Sequence, residues 1–284
     1  MVRALVVVAF LSLGACGADR STSSASPSTS SASSEFASEV KLAALLPAGA
    51  KPTGVTVSPE GKTYVLDPAT GLYEVDARTA KLVFATTDLA RFGADANLRF
   101  TDVAALGSER FAVTAENDGY VLDLHSSWLS GYFCYLPSVS PPPQIVSVST
   151  QCRQAGIAVK ERTESVAFSP DSLQLFAQPQ TIRLDTGEVV GSELFVFPES
   201  GGQPNQVMAM TEPSFLAGGM LAVGGQNLLL GVHNRLFRAA PTGAPTLEHT
   251  FEAPLEIDGM ARATDGNLLL LDGAGQRLLE VSGY

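Results

Sequence analysis

Three acidic residues stand at the start of repeated segments, and their type and position suit the binding of a hard metal ion. Glu164 and Asp258 each come directly before a short run of small apolar residues, and Asp102 stands one place further along in its own segment. If the repeated segments surround a narrow central channel, their carboxylates repel one another unless a counter-ion is bound. Carboxylate oxygens are ligands that suit Ca²⁺ or Mg²⁺. We therefore predict a divalent-cation site, with Ca²⁺ as the expected ion. The alternative is that these acids only cap strands and solvate a rim.

The sequence has none of the spacings typical of nucleophilic, zinc-dependent or nucleotide-dependent enzymes. Gly-x-Ser-x-Gly, His-Glu-x-x-His, Cys-x-x-Cys, a phosphate-binding loop and a dinucleotide fingerprint are all absent. The three histidines, His125, His233 and His249, fall in different segments, where we expect surface or packed residues. We predict no catalytic residue.

The chain has three cysteines, and their positions indicate two different roles. Cys134 and Cys152 form an even pair in the body of the chain, which predicts a disulfide if the protein is exported. A zinc site is the less favoured alternative, because no histidine or third cysteine lies near them.

Cys16 follows a segment with the layout of a signal peptide. Arg3 precedes a short apolar run at positions 4–13, which is too short to span a bilayer. The next residues, Leu13-Gly-Ala-Cys16, resemble the lipobox of bacterial lipoproteins. The resemblance implies cleavage after Ala15 and a lipid anchor on Cys16, with outer-membrane sorting if the envelope has two membranes. The alternative is an unmodified signal peptide that happens to be followed by a cysteine.

These features divide the chain into three parts. Residues 1–15 are the predicted signal peptide. Residues 16–37 are the lipidated cysteine and a serine-rich stretch that predicts a flexible tether. Residues 38–284 are long enough for one domain with a full hydrophobic core.

One template recurs five times within that domain. Each copy has a short strand of small residues, a tight turn, a nearly continuous apolar strand, a second turn and an alternating strand. The copies begin at Gly54, Asp102, Ser165, Gly219 and Gly259. Short strands at regular spacing with glycine-rich turns predict an all-β fold, and the internal repetition favours a single β-propeller of four-stranded blades over a β-sandwich.

The repeats predict about five blades, or six if residues 145–159 hold another. The last copy has only three strands, and the segment 39–46 is predicted to supply its missing outer strand. Pairing of this kind would close the ring and tie the two ends of the domain together.

The first copy also resembles a known type of repeat. Its segment Val57-Ser-Pro-Glu-Gly-Lys-Thr-Tyr-Val-Leu-Asp67 is similar to repeats of bacterial NHL, YVTN and SdiA-regulated propellers. The resemblance implies the propeller fold and little about activity, because such repeats occur in proteins of many functions.

The net charge of −11 argues against nucleic acid and anionic membrane surfaces as partners. The favoured function is a ligand- or protein-binding module that is held at the cell envelope by its lipid and has an envelope protein as a candidate partner. One alternative is a Ca²⁺-dependent lactonase or esterase that uses the central channel. The other is a structural component of an envelope assembly.

Overall fold

A computed structural model describes residues 35–92, 98–115, 118–134, 159–171, 173–183, 189–198, 206–209, 218–225, 227–240, 244–252 and 254–284. Residues Glu35–Tyr284 form one compact unit. The predicted signal peptide, Cys16 and most of the tether lie outside the described residues. In the described part of the chain, no helix is long and apolar enough to cross a membrane.

The described residues form five antiparallel sheets of four strands each. Strand β1 (Ser38–Lys41) is followed by a 3₁₀ helix (Leu42–Ala44) and then by the first sheet. The first sheet contains β2 (Gly54–Val57), β3 (Thr63–Asp67), β4 (Gly71–Val75) and β5 (Ala80–Ala85), and a second 3₁₀ helix (Thr86–Phe92) follows it. The second sheet contains β6 (Asp102–Ala105), β7 (Arg110–Ala115), β8 (Asp118–Asp123) and β9 (Trp128–Cys134).

The third sheet contains β10 (Val159–Ser169), β11 (Gln174–Arg183), β12 (Val189–Pro198) and β13 (Gln206–Ala209). The fourth sheet contains β14 (Gly219–Gly224), β15 (Asn227–Val232), β16 (Arg235–Ala239) and β17 (Thr246–Thr250). The fifth sheet contains β18 (Gly259–Arg262), β19 (Leu268–Asp272) and β20 (Arg277–Val281), and its fourth strand is β1.

The five sheets are the blades of a β-propeller. The innermost strands β2, β6, β10, β14 and β18 contact one another in a closed cycle. The ring is closed by β1, which pairs with β20 from Ser38 opposite Glu280 to Lys41 opposite Arg277. The predicted propeller and its closure by an N-terminal strand are therefore confirmed.

The hydrophobic core lies between neighbouring sheets, because the second and third strands of each sheet bury residues on both faces. Between the first and second sheets, Tyr64 and Phe111 pack edge to face with their ring centroids 4.8 Å apart. Between the second and third sheets the buried residues are smaller, and include Ala104, Ala112 and Val166. The near-continuous apolar runs in the sequence are thus strands enclosed by two neighbouring blades.

The third sheet differs from the others in the length of its strands. Strands β10, β11 and β12 have 11, 10 and 10 residues, whereas no other strand exceeds seven. The pairing of β10 with β11 shifts register between Thr163 and Ser165, so Glu164 is the extra residue of a β-bulge. The candidate sixth blade at residues 145–159 lies outside the described residues except for Val159, the first residue of β10.

The structure does not describe the side chains of the two cysteines in the predicted disulfide. Cys134 is the last residue of β9, and its side chain is not among those described. Cys152 lies outside the described residues. The Cys134–Cys152 pairing stays a prediction.

Candidate functional site

The five innermost strands approach one another closely at Gly54, Asp102, Ser165, Gly219 and Gly259. Four of these residues begin their strands, and Ser165 lies within β10. A Cβ atom on Gly219 would lie 2.7 Å from the carbonyl carbon of Gly259. A Cβ atom on Gly259 would lie 2.9 Å from the amide nitrogen of Val55. Such distances are too short for a side chain, so glycine is required for the strands to meet. We call this the closed end of the axis.

Asp102 is buried at the closed end and binds backbone amides. Its Oδ1 accepts a hydrogen bond from the N–H of Val103, and its Oδ2 accepts one from the N–H of Val166, both at 2.8 Å. The second bond joins the second sheet to the third. Asp102 therefore satisfies amide groups that the innermost strands leave without a partner in their own sheet.

Two other side chains make similar bonds between neighbouring blades. The Thr56 Oγ1 accepts a hydrogen bond from the N–H of Ala105 at 2.9 Å, which joins the first sheet to the second. The Ser165 hydroxyl donates to the carbonyl oxygen of Gly218 at 3.4 Å, which joins the third sheet to the segment that enters the fourth. Polar residues of the innermost strands thus connect the first four blades in sequence.

Asp258 lies just before β18 and is half-buried. Its Oδ2 accepts a hydrogen bond from the N–H of Gly273 at 2.8 Å. Burial raises the pKa of the Asp258 carboxyl, and the charges of Glu256 and Asp272 add to this increase, while the Gly273 amide opposes it. Burial of this kind disfavours the charged form of the carboxyl unless a cation compensates the charge.

Glu164 is in β10, directly before Ser165, and its side chain is not among those described. Among the described residues, no group of three or more histidine, cysteine, aspartate or glutamate side chains is placed to hold a metal ion. The cation site of Glu164, Asp258 and Asp102 therefore stays a prediction.

Two further aspartates, Asp67 and Asp272, stabilise turns that follow the second strands of the first and fifth sheets. Asp67, after β3, accepts hydrogen bonds from the N–H groups of Lys51 and Thr70 at 2.8 and 3.0 Å. Asp272, after β19, accepts one from Gly275 N–H at 2.7 Å and one from Arg277 Nε at 2.8 Å. Both acids are buried and hold the chain where it reverses direction.

A cavity of about 200 Å³ lies on the axis beyond the closed end. It is lined by residues from all five innermost strands, and in each copy these residues follow the one that lies at the closed end. Most of the lining residues are apolar; some are buried, such as Val103 and Met260, and others are only partly buried, such as Val57, Phe168 and Leu221. We call this the axial cavity. It is a small, mostly apolar site to which each of the five described blades contributes residues.

Arg262, the last residue of β18, is the one charged residue among the described residues that line the axial cavity. The corresponding fourth residues of the other copies are Val57, Ala105, Phe168 and Ala222. No described residue forms a hydrogen bond or an ion pair with the exposed Arg262 side chain. Arg262 was not among the predicted site residues, although a charge at a position that is apolar in the four other copies is a visible signal in the sequence.

A larger concavity of about 390 Å³ lies between the first and second sheets, but its charged groups have partners. Ser108 Oγ donates to Glu60 Oε1 at 2.8 Å, and this bond lowers the pKa of the Glu60 carboxyl. His125 Nδ1 lies 3.7 Å from Glu109 Oε2, and Lys62 Nζ lies 3.1 Å from Glu74 Oε2. The axial cavity is therefore the better candidate for a ligand.

No protein-family model matches this chain, and no curated protein matches it. Among solved structures, it is similar to a chain of a mitotic checkpoint complex, with 10% identity, a TM-score of 0.43, and coverage of 88% of this chain and 94% of that chain. It is also similar to a gluconolactonase from Xanthomonas campestris, with 14% identity, a TM-score of 0.49, and coverage of 83% and 74%. A protein of unknown function from Bacteroides caccae has 10% identity, a TM-score of 0.41, and coverage of 77% and 64%.

These similarities concern the fold alone, because every identity is at most 14%. The propeller assignment rests on the closed cycle of innermost strands, and the candidate site rests on the cavity that those strands enclose.

Proposed function

We propose that this chain is an exported lipoprotein whose β-propeller binds a small ligand in the axial cavity at the bacterial cell envelope. The observation that carries the binding role is the cavity itself. Residues from all five blades line it, and most of them are apolar. A concave, mostly apolar site with few polar groups is typical of small-molecule binding sites.

The envelope location is supported by the sequence Leu13-Gly-Ala-Cys16, which follows the short apolar run. Two or three acyl chains on Cys16 would give a stable anchor, whereas a single chain holds only marginally. We expect Cys16→Ser to abolish both incorporation of labelled fatty acid and partitioning with membranes. A mutant that keeps both properties would contradict the lipoprotein assignment.

The binding role is tested by filling the axial cavity. Ala222 lines the cavity and packs against the core between the third and fourth sheets, and it is only partly buried, so we expect the larger side chain of Ala222→Leu to narrow the cavity. Ligands from a metabolite library that raise the melting temperature of the wild type should lose this effect in Ala222→Leu, because only a bound ligand stabilises the folded state. The matched control is Ala43→Leu, on the exposed side of the first 3₁₀ helix, which should respond like the wild type. Equal responses in the wild type and Ala222→Leu would exclude the axial cavity as the ligand site.

A Ca²⁺-dependent lactonase or esterase is the second candidate function. The observation that favours it is Asp258, whose half-buried carboxyl has a raised pKa beside Glu256 and Asp272. Added Ca²⁺ should raise the melting temperature, and should do so less in Glu164→Gln than in the exposed control Glu39→Gln. Turnover of a lactone or ester panel would then support the hydrolase. An equal calcium response in the wild type and Glu164→Gln would count against the site.

A structural role in an envelope assembly is tested by affinity purification from detergent-solubilised cells. A stable envelope protein that copurifies with both the wild type and Ala222→Leu would support this role, because a scaffold does not need the axial cavity.

A further inference from the structure

We propose that the axial cavity binds a small carboxylic acid with a short apolar chain, and that Arg262 binds its carboxylate. This inference rests on the proposed function, because it names the class of ligand for the same cavity. Three observations carry it: the apolar wall, the single charged residue of the lining and the size of the cavity.

The wall favours an apolar body for the ligand. Val57, Phe168 and Leu221 line the cavity from three different blades and are only partly buried, so they leave apolar surface accessible beside it. A methylene group that moves from water to such a wall strengthens binding by about fourfold. A ligand without an apolar part would lose water contacts in the cavity and gain little in exchange.

Arg262 gives the site its charge preference. A guanidinium group presents donors in a planar fork that fits a carboxylate in a bidentate way, and it stays charged at any ordinary pH. No described residue pairs with the Arg262 side chain. With a net charge of −11, the protein as a whole repels anions, so a specific cationic group is needed to hold one.

The size of the cavity limits the length of the ligand. Its volume of about 200 Å³ is below the roughly 300–1,000 Å³ typical of sites for drug-sized molecules. The ligand class is therefore that of straight or branched monocarboxylates with about four to six carbons. A longer chain would have to extend from the cavity into water.

The experiment is calorimetric titration of the mature lipidated chain in detergent micelles, with empty micelles as the blank. The probes are butyrate, hexanoate, decanoate and the uncharged hexanamide, at pH 7. We expect hexanoate to bind about tenfold more tightly than hexanamide, because the charge-assisted bonds to Arg262 are lost in the amide. Decanoate should bind no more tightly than hexanoate.

The variants assign this preference to one residue. Arg262→Gln should remove the difference between hexanoate and hexanamide, and Arg262→Lys should keep part of it. The matched control is Arg78→Gln, an exposed arginine in the turn between β4 and β5, which should bind like the wild type. As a test that needs no variant, lowering the pH until hexanoic acid is protonated should reduce its affinity to that of the amide.

The proposal is overturned if hexanamide binds as tightly as hexanoate, or if Arg262→Gln keeps the preference for the acid. The proposed function survives that result if Ala222→Leu abolishes the binding of hexanamide. The carboxylate proposal and the proposed function are both contradicted if Ala222→Leu binds every probe as the wild type does, because the ligand would then bind outside the axial cavity.

Discussion

The closed end of the axis and the axial cavity are built from the same five strands, but their polar residues do different things. At the closed end, both carboxylate oxygens of Asp102 accept hydrogen bonds from backbone amides of two neighbouring blades. At the axial cavity, the Arg262 side chain has no hydrogen-bond or ion-pair partner among the described residues. One charge is used by the fold, and the other is open to a ligand.

This difference shows why a charged residue on the axis of a propeller does not by itself identify a binding site. The innermost strand of each blade leaves amide and carbonyl groups unpaired on the side that faces the axis. Where the strands meet closely, side chains such as those of Asp102 and Ser165 satisfy these groups. A ligand site is indicated where the strands separate and a polar group keeps its hydrogen-bonding capacity.

The largest expected effect comes from breaking the closed end at Asp102. Asp102→Ala leaves two amide groups, those of Val103 and Val166, without their acceptor, and should lower the free energy of unfolding by about 2–4 kcal/mol. Urea denaturation measures the change. The matched control is Asp88→Ala, whose exposed carboxylate lies 3.7 Å from Arg91, and it should change stability by no more than about 0.5 kcal/mol. Similar small losses in both variants would show that Asp102 does not hold the blades together.

A smaller effect is expected from adding one methyl group at the closed end. In Gly219→Ala, the new Cβ would lie 2.7–2.9 Å from backbone atoms of Gly259 and Met260, which cannot rotate away. The free energy of unfolding should fall by about 1–3 kcal/mol. Gly107→Ala is the control, because its Cβ would meet nothing closer than Arg110 Cβ at 3.8 Å. If Gly219→Ala is as stable as Gly107→Ala, the innermost strands are further apart than described.

The axial cavity should tolerate a larger change than the closed end. Ala222→Leu adds three carbon atoms at a partly buried residue beside the cavity, so we expect the free energy of unfolding to change by less than about 1 kcal/mol. The same urea denaturation measures it beside Ala43→Leu. A loss of more than about 2 kcal/mol would mean that the cavity has no room for the added atoms, and the contrast between the axial cavity and the closed end would then fail.

The strands that follow the repeated template could be predicted from the sequence. The long first part of β10 in the third sheet, which does not follow the template, could not. Strands β2, β6, β14 and β18 begin at the predicted residues, because small apolar residues before a tight turn occur in every copy. Strand β10 begins at Val159 instead of near Ser165. Its first residues, Val159-Lys-Glu-Arg-Thr-Glu164, are mostly charged, and backbone pairing with β11 keeps them in the sheet without an apolar pattern.

The candidate site was harder to predict, because it depends on distances between blades. The repeat placed Asp102 at the start of its strand, but nothing in the sequence shows that the N–H of Val166 lies 2.8 Å from its carboxylate. The apolar residues that line the axial cavity, such as Met220 and Met260, look in the sequence like any buried strand residue. Whether such residues meet a neighbouring strand or open space is decided by how far the five strands have separated at that level.

The smallest expected effect concerns Asp258 and depends on pH. Its pKa is raised in the folded protein, chiefly by burial, so the ionised form destabilises the fold. This penalty is absent below the pKa of the unfolded chain, near 3.9, and grows as the pH rises through the folded pKa. In metal-free buffer, Asp258→Asn should therefore be more stable than the wild type at pH 7, and the difference should shrink as the pH falls. Asp76→Asn should behave oppositely, because the N–H of Arg78 lowers the pKa of Asp76 and stabilises its ionised form. Urea denaturation across pH 3–8 separates the two, and a constant difference for Asp258→Asn would show that burial does not penalise its charge.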